Sequence, residues 1–227
     1  MDISKQYNNA LLACRDIDLS WHGKSFFSDL QASFYTGDRV VIAAPSGRGK
    51  TTLLGVFSGT QTIDSGERFY RGQAFDDGGL QLLRQELFWL PQFPVMMGHT
   101  VAEHLLTPFA LVGERQEKPT AEKLQSVLQR LGLEITLDQP CRSLSGGQKQ
   151  RLSVAQGYLL QRPVWMIDEP TSGQDDDSAE AIIRLIESQP WLQLLIVVSH
   201  DDRLQAYYSD YWTIQDCGFM AQPSKDM

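Results

Sequence analysis

Cysteine is scarce in this sequence: there are only three, Cys14, Cys141 and Cys217, among 227 residues. They are odd in number, widely separated and never in a C-x-x-C spacing, which excludes a disulfide framework and a zinc site built on paired cysteines. We therefore expect reduced thiols, which are typical of a protein kept in a reducing compartment.

Long apolar runs and an excess of basic charge are also lacking. The longest apolar stretches, Val40–Ala44 and Leu194–Val198, have about the length of a buried strand and fall far short of the roughly 18 residues of a membrane span. The net charge is −8, whereas domains that grip nucleic acid usually carry a basic balance. We therefore expect no nucleic acid partner, and contact with a membrane only through another protein.

The patterns that are present predict an α/β fold. Residues 11–41 alternate between apolar and polar and are broken by turn-forming residues, which predicts antiparallel strands. Later, the apolar runs Val164–Ile167 and Leu194–Val198 are separated by a helical pattern, which predicts a mostly parallel sheet with its ligand site at the carboxyl ends of the strands. The middle of the chain, 93–162, is helical in character and is predicted to be an inserted subdomain.

A phosphate-binding loop is predicted where a buried strand runs into a helix over Lys50–Ser58. The stretch from Ala44 to Thr51 matches G-x-x-x-x-G-K-[ST] except at its first position, where Ala44 replaces glycine. We expect Ala44 to be extended and unstrained. In such a loop the backbone N–H groups and the lysine hold phosphates, and the Thr51 hydroxyl can ligate Mg²⁺. Taken alone, a glycine-rich turn with a chance lysine is the alternative. The predicted nucleotide-binding residues are Ser46, Gly47, Arg48, Gly49, Lys50, Thr51 and Thr52.

Two carboxylates and a histidine follow the apolar strands of the last third. Asp168 and Glu169 come directly after Val164–Ile167. Beside a phosphate-binding loop, Asp168 is predicted to hold Mg²⁺ through its hydration shell and Glu169 to polarise the attacking water. His200 follows the strand Leu194–Val198 and is predicted to lie near the γ-phosphate. A solvated strand end and a surface histidine are the alternatives that these residues leave open by themselves.

The run Leu144-Ser145-Gly146-Gly147-Gln148 resembles, letter for letter, the LSGGQ signature of ATP-binding-cassette (ABC) ATPases. Ser145 is predicted to cap a helix whose N-terminus can approach a phosphate. The resemblance implies that two copies of the chain face head to tail and hold two ATP molecules between them. The signature residues Ser145, Gly146, Gly147 and Gln148 would then contact the ATP bound by the other copy.

The resemblance assigns three further positions. Gln92 matches the glutamine that senses Mg²⁺ and the γ-phosphate. Trp21 occupies the place of the aromatic residue that stacks on adenine, and an ordinary core or hairpin tryptophan is the alternative. The run Ser172-Gly173-Gln174-Asp175 matches the D-loop at its serine and at Asp175, which is implied to contact nucleotide, and departs from it in the middle pair.

The resemblance covers essentially the whole chain and implies a single P-loop NTPase domain over 1–227. Its nucleotide-binding core spans 1–92 and 163–227, and its helical subdomain spans 93–162. The implied function is an ATPase subunit that binds ATP and Mg²⁺ and powers a membrane transporter through a separate permease chain, from the cytoplasmic face of the inner membrane. The chain also looks similar to small bacterial ATPases of an iron-export group.

Other ABC ATPases act on DNA or ribosomes or in membrane-complex signalling, and these functions are the alternative. Leu144 lies only 94 positions after Lys50, which leaves room for a small helical subdomain but not for the large insertions of repair-type relatives. The apolar run from Phe93 to Met97 follows Gln92 directly. We expect it to line a socket for a permease helix, the alternative being that it fills the core of the helical subdomain.

Overall fold

The computed structural model describes residues 9–21, 23–43, 49–111, 117–208, 210–215 and 218–222, with side chains described as far as residue 208. The predictions for Ala44, Ser46, Gly47 and Arg48 therefore lie outside the described residues. The strands and helices are β1 (Leu12–Trp21), β2 (Lys24–Phe34), β3 (Arg39–Ala43), α1 (Lys50–Ser58), β4 (Ser65–Tyr70), β5 (Gln73–Ala74), α2 (Gly79–Glu86), β6 (Leu87–Leu90), α3 (Val101–Leu111), α4 (Ala121–Arg130), α5 (Gly146–Leu160), β7 (Val164–Asp168), α6 (Asp176–Glu187), β8 (Leu194–Val198), α7 (Asp202–Tyr207), β9 (Asp210–Gln215) and β10 (Gly218–Gln222).

The strands form two sheets. One is antiparallel, with the order β2-β1-β4-β5, and the other has the order β10-β9-β3-β8-β7-β6. In the second sheet, β3 is parallel to β8 and β9, and β7 is parallel to β8, whereas β10 runs antiparallel to β9. The predicted α/β class, with an antiparallel N-terminal part and a mostly parallel sheet, is confirmed. The sequence patterns did not predict β9 and β10.

The register of the parallel strands brings three strand ends to one edge. Val198 at the end of β8 pairs with Ile42 of β3 on one side and with Asp168 of β7 on the other. The ends of β3, β7 and β8 therefore lie side by side. This edge is where an open parallel sheet binds its ligands.

Helix α1 is held between the two sheets. Its buried Leu53, Leu54 and Phe57 belong to one hydrophobic core with residues of β1, β2, β3, β7 and β8. The Phe57 ring packs edge-on against Phe34 at a centroid distance of 5.1 Å. A helix that buries side chains on most of its surface is anchored on several sides, so the start of α1 has a fixed position at the edge of the parallel sheet.

The chain divides into two compact units, one formed by residues 1–89, 163–168 and 192–227, the other by 90–162 and 169–191. The second unit contains α3, α4, α5 and α6, with α5 packed against the other three. The predicted apolar face of α4 is buried, including Leu124, Val127 and Leu128. The boundaries predicted for the nucleotide-binding core and the helical subdomain stay predictions.

The segment before α3 is fixed by its backbone. The N–H of Met97 donates to Nδ1 of the buried His104 at 2.9 Å, and the Met97 carbonyl accepts a hydrogen bond from the Thr107 hydroxyl at 2.9 Å. The His104 carbonyl in turn accepts from the side-chain amide of Gln156 in α5. Residues just after Gln92 are thereby tied to two helices of the second unit.

Candidate active site

The start of α1 is built to accept an anion. Its N-cap, Gly49, has φ 83°, a left-handed conformation that glycine adopts without strain. A Cβ at Gly49 would lie 3.3 Å from Cδ1 of Phe26, so space is also tight there. Because a glycine cap offers no side-chain oxygen, it leaves the first-turn N–H groups next to Lys50 to other acceptors. Backbone N–H groups and the helix dipole make such an end favourable for phosphate.

The second residue of α1 contacts the acidic end of β7. The Thr51 hydroxyl donates a hydrogen bond of 2.5 Å to Oδ2 of Asp168. Asp168 is the last residue of β7 and only 1 % exposed. The structure thus places side by side two oxygen-bearing side chains that the sequence predicted as Mg²⁺ ligands, from motifs far apart in the chain.

The donor set at this position suits Mg²⁺ better than a metal held by protein alone. Among the described residues, no group of three or more His, Cys, Asp or Glu side chains could hold a metal ion. Thr51 and Asp168 supply hard oxygen donors, which Mg²⁺ prefers, and Mg²⁺ usually keeps several waters and takes the rest of its ligands from phosphates. The pair therefore fits a Mg²⁺ ion that arrives with a nucleotide.

Glu169 follows Asp168 in an unusual backbone conformation. Its φ is 53° and its side chain is only 3 % exposed. A left-handed conformation costs a residue with a Cβ about 1–2 kcal/mol, and such positions concentrate at functional sites. The Ser172 N–H donates to the Glu169 carbonyl at 3.3 Å, so the strand ends here in a turn. The buried carboxylate thus lies one residue from the predicted metal ligand.

His200 lies at the same edge of the sheet as the end of β3. The neighbouring Ser199 is buried, and its N–H donates to the Ile42 carbonyl at 3.1 Å. The Ser199 hydroxyl accepts from the N–H of Asp201 at 3.1 Å, which fixes the turn into α7. His200 itself is exposed, so its position is set by its neighbours while its side chain stays accessible.

Trp21 is the last residue of β1 and pairs with Lys24 across the hairpin. It is 58 % exposed. This exposure excludes a core position and agrees with the stacking on a base that the family resemblance implies.

The signature residues form the start of α5. Ser145 is the N-cap: its hydroxyl accepts from the Gln148 N–H at 3.2 Å, and the Gln148 side-chain oxygen accepts from the Ser145 N–H at 2.9 Å. This capping box agrees with the predicted cap. A Cβ on Gly146 would meet nothing within 4 Å, whereas one on Gly147 would lie 3.1 Å from the side chain of Gln174.

Two predicted site residues lie in other surroundings. Asp175 caps α6, and its two carboxylate oxygens accept from the N–H and the hydroxyl of Ser178 at 2.8 and 3.0 Å. These hydrogen bonds, the backbone one first, lower the pKa of Asp175 below its ordinary value. Gln92 is exposed, two residues beyond β6. The nucleotide contact of Asp175 and the sensing role of Gln92 stay predictions.

Sequence reasoning missed Gln174. It was recognised only as a departure from the family pattern, yet its side-chain amide donates to the Gly147 carbonyl at 3.2 Å. No spacing rule relates positions 147 and 174, since their contact depends on how α5 and α6 pack. The departure itself was the one available signal.

Comparison with known proteins gives consistent matches over nearly the whole chain. A family model described as ABC transporter matches residues 27–172. The lipoprotein-releasing system ATP-binding protein LolD of Idiomarina loihiensis is 31 % identical over 209 residues, which cover 86 % of this chain and 90 % of that protein. The cytochrome c biogenesis ATP-binding export protein CcmA 2 of Cupriavidus metallidurans is 28 % identical over 198 residues, with coverages of 87 % and 92 %.

A solved structure shares the fold. The ATP-binding cassette MJ0796, in a dimeric post-hydrolysis state bound to ADP and Pi, aligns with a TM-score of 0.80 at 20 % identity, over 95 % of this chain and 100 % of that chain. Within the part of this chain that the structure describes, no helix has both the length and the apolar character needed to cross a membrane.

Proposed function

This chain belongs to the ABC transporter family, and from that premise we propose that two copies of it clamp two ATP molecules and pass the energy of hydrolysis to a separate permease. The family, ATP binding, the ATPase activity and the function as a transporter ATPase subunit were predicted from the family resemblance, and the comparisons confirm them. The roles of single residues, the Mg²⁺ ion, the homodimer and the permease contact are the content of the proposal.

The observation that carries the proposal is the contact between Thr51 and Asp168 at the edge where the parallel strands end. A Mg²⁺ ion bound with ATP would be held by these two oxygens, and it would supply charge neutralisation at the phosphates. Gln92, in the exposed segment after β6, is proposed as a further ligand of this Mg²⁺ ion. The first turn of α1 would hold the β-phosphate through its N–H groups, and Lys50 would contact the β- and γ-phosphates.

Hydrolysis requires a water activated beside the γ-phosphate. Glu169 is the proposed base, because its carboxylate directly follows the metal ligand and is withdrawn from solvent. Because the backbone of Glu169 is left-handed, its side chain does not continue the alternation of side chains between the two faces of the sheet that β7 shows. His200, exposed next to the anchored Ser199, is proposed to contact the γ-phosphate, and Trp21 to stack on the adenine.

The start of α5 is proposed to act on the ATP of the other copy. The Ser145 hydroxyl uses one lone pair as an acceptor for the N–H of Gln148, so its proton stays available for donation to a phosphate oxygen. Gly146, where an added Cβ would stand in open space, leaves the helix N-terminus uncovered. An exposed helix start with these groups is suited to close over a γ-phosphate presented by a second copy.

The permease contact is proposed at the apolar segment after Gln92. Phe93 is 81 % and Val95 79 % exposed, so these two side chains do not fill the core of the helical unit, which was the alternative. Exposed aromatic and aliphatic side chains favour a partner surface. The proposed partner element is a short helix of the permease that faces the cytoplasm, with its apolar side chains against Phe93 and Val95. Membrane association of the chain would follow from this contact.

The experiment that tests the proposal uses the chain together with a candidate permease. Phe93→Glu and Val95→Glu should keep the ATPase activity of the isolated subunit and lose co-purification with the permease. Leu111→Glu, which also places a charge on an exposed aliphatic position of the helical unit, is the matched control and should co-purify like the wild type. Normal co-purification of both folded variants would refute the docking site, and transport without ATP turnover would refute the proposed coupling.

The identity of the transported substrate is a separate question from the proposed ATPase mechanism. The relatives compared above are named for lipoprotein release and cytochrome c biogenesis, and the similarity to an iron-export group stays a prediction. Because the proposed contact of the ATPase is with the permease, substrate-stimulated ATPase activity of the purified complex with a candidate permease is the measurement that identifies the substrate.

A further inference from the structure

The turn that follows Glu169 reaches the signature helix of the same copy. From Glu169 the chain makes two successive turns, with the N–H of Ser172 bonded to the Glu169 carbonyl at 3.3 Å and the N–H of Gln174 bonded to the Thr171 carbonyl at 3.1 Å. Thr171 is fully buried, which anchors the turn from inside. Gln174, at its far end, is half-buried and donates its side-chain amide to the Gly147 carbonyl at 3.2 Å.

The side chain of Gln174 lies close to the Cα position of Gly147. A Cβ on residue 147 would lie 3.1 Å from Nε2 and 3.3 Å from Oε1 of Gln174, which is tighter than ordinary van der Waals contact. The absence of a side chain at residue 147 therefore leaves space for the Gln174 amide beside the first turn of α5. Since Gly147 has no side chain, the amide reaches the backbone of the first turn directly.

A second link lies one helical turn further along α5. The Arg151 guanidinium donates to the Ser178 hydroxyl, and Ser178 is joined to Asp175, the N-cap of α6, by two hydrogen bonds. Positions 147 and 151 are four residues apart and lie on one face of α5. The start of α6 and the turn before it therefore form hydrogen bonds with that face of α5 at residues 147 and 151.

We propose that Gln174 is a positioning residue that holds the signature turn of α5 in the geometry needed to close on the ATP of a second copy. The inference rests on the proposed ATP-bound homodimer. The hydrogen bond described for Gln174 goes to α5, whereas the nucleotide of its own copy is proposed to bind at α1. Its removal should therefore weaken dimer closure and leave the binding of ATP to the monomer intact.

The first test measures two equilibria in the Glu169→Gln background, which is chosen to retain ATP. Adding Gln174→Leu, which removes the donor, should leave the monomer affinity for ATP within about twofold and weaken ATP-dependent dimerisation by about fivefold, as expected for one hydrogen bond. Gln174→Glu, which keeps the size but loses the amide donor, should show the same defect or a larger one. Gln129→Leu replaces an exposed glutamine on α4 and should change neither quantity.

The second test needs no dimer. Amide hydrogen exchange of the peptide 145–151 in the monomer should be about fivefold faster in Gln174→Leu than in the parent, at an unchanged thermal midpoint. Unchanged exchange would overturn the proposal, and so would faster exchange with undiminished dimerisation. If the Glu169→Gln parent fails to dimerise while Gln174→Leu still accelerates exchange, the homodimer is refuted and the positioning contact within one copy stands.

Discussion

The Thr51 hydroxyl and the Asp168 carboxylate are joined by a hydrogen bond of 2.5 Å across 117 positions of sequence. One residue lies in the first turn of α1 and the other at the end of β7. The packing of α1 between the two sheets brings them together, because its buried face shares a core with both. The same packing therefore fixes both the fold and the proposed Mg²⁺ position.

Removal of the Thr51 hydroxyl should reveal this role. We expect Thr51→Ala to raise the Mg²⁺ concentration needed for half-maximal ATPase activity by about tenfold, the effect typical of losing a group that orients a metal. Thr51→Ser keeps the hydroxyl and should stay within about threefold of the wild type. Steady-state ATPase assays over a Mg²⁺ titration give the result, and equal Mg²⁺ dependence of the alanine and serine variants would contradict it.

The phosphate clamp should be separable from the chemistry. Lys50→Ala should abolish detectable ATP binding, because the ammonium that contacts the β- and γ-phosphates is lost, whereas Glu169→Gln should bind ATP and fail to hydrolyse it. Equilibrium binding and single-turnover hydrolysis measure the two effects. Hydrolysis by Glu169→Gln at the wild-type rate would remove Glu169 from the role of base.

The exposed Trp21 should contribute to nucleotide binding through its ring alone. Trp21→Ala should weaken the binding of ATP and ADP alike by roughly tenfold, in line with the loss of one base-aromatic stack. Trp21→Tyr retains an aromatic face and should bind close to the wild type. An alanine variant with wild-type affinity for both nucleotides would show that the hairpin tryptophan has no contact with adenine.

Burial of His104 should make stability depend on pH. Burial lowers the pKa of His104 from its ordinary 6.5 to about 4, and its Nε2 has no hydrogen-bond partner among the described residues. As the pH falls from about 6.5 to about 4, the unfolded chain binds a proton at this position and the folded chain does not. The free energy of unfolding should therefore decrease by up to about 1.4 kcal/mol per pH unit in this window.

His104→Asn provides the comparison, because its side-chain oxygen can still accept the Met97 N–H but does not titrate. Urea unfolding at pH 7, 6 and 5 should show a steeper loss for the wild type than for the variant. Parallel pH profiles of the two proteins would contradict the assignment, since every other titrating group is common to both.

The strongest sequence patterns predicted their elements with accurate bounds. The helix predicted at Lys50–Ser58 and the strand predicted at Leu194–Val198 are observed with those limits. In both, a run of apolar residues is bounded by residues that stop the element, so local pattern and tertiary burial agree. The strands β9 and β10 were missed because their sequences show no strong alternation of apolar and polar residues. They are defined by the pairing of β9 with β3 and of β10 with β9.

The candidate site was predictable in its residue types and less so in its geometry. Motif spacing identified Thr51, Asp168 and Ser145, but the left-handed backbone of Glu169 contradicts the usual preference of residues with a Cβ, so no local rule foresees it. Likewise, no sequence pattern predicted that the carboxylate of Asp175 caps α6, and its contact with a nucleotide stays a prediction. Such details depend on packing between helices that are distant in sequence.

The most direct test of the account is the mass of the Glu169→Gln protein in solution. Light scattering should report a monomer without nucleotide and a dimer with ATP, because the start of α5 at Ser145 is proposed to close on the ATP held by the other copy. In parallel, the specific ATPase activity of the wild type should fall on dilution. A protein that stays monomeric with ATP bound, and whose wild type hydrolyses ATP at a specific activity independent of dilution, would contradict the shared site.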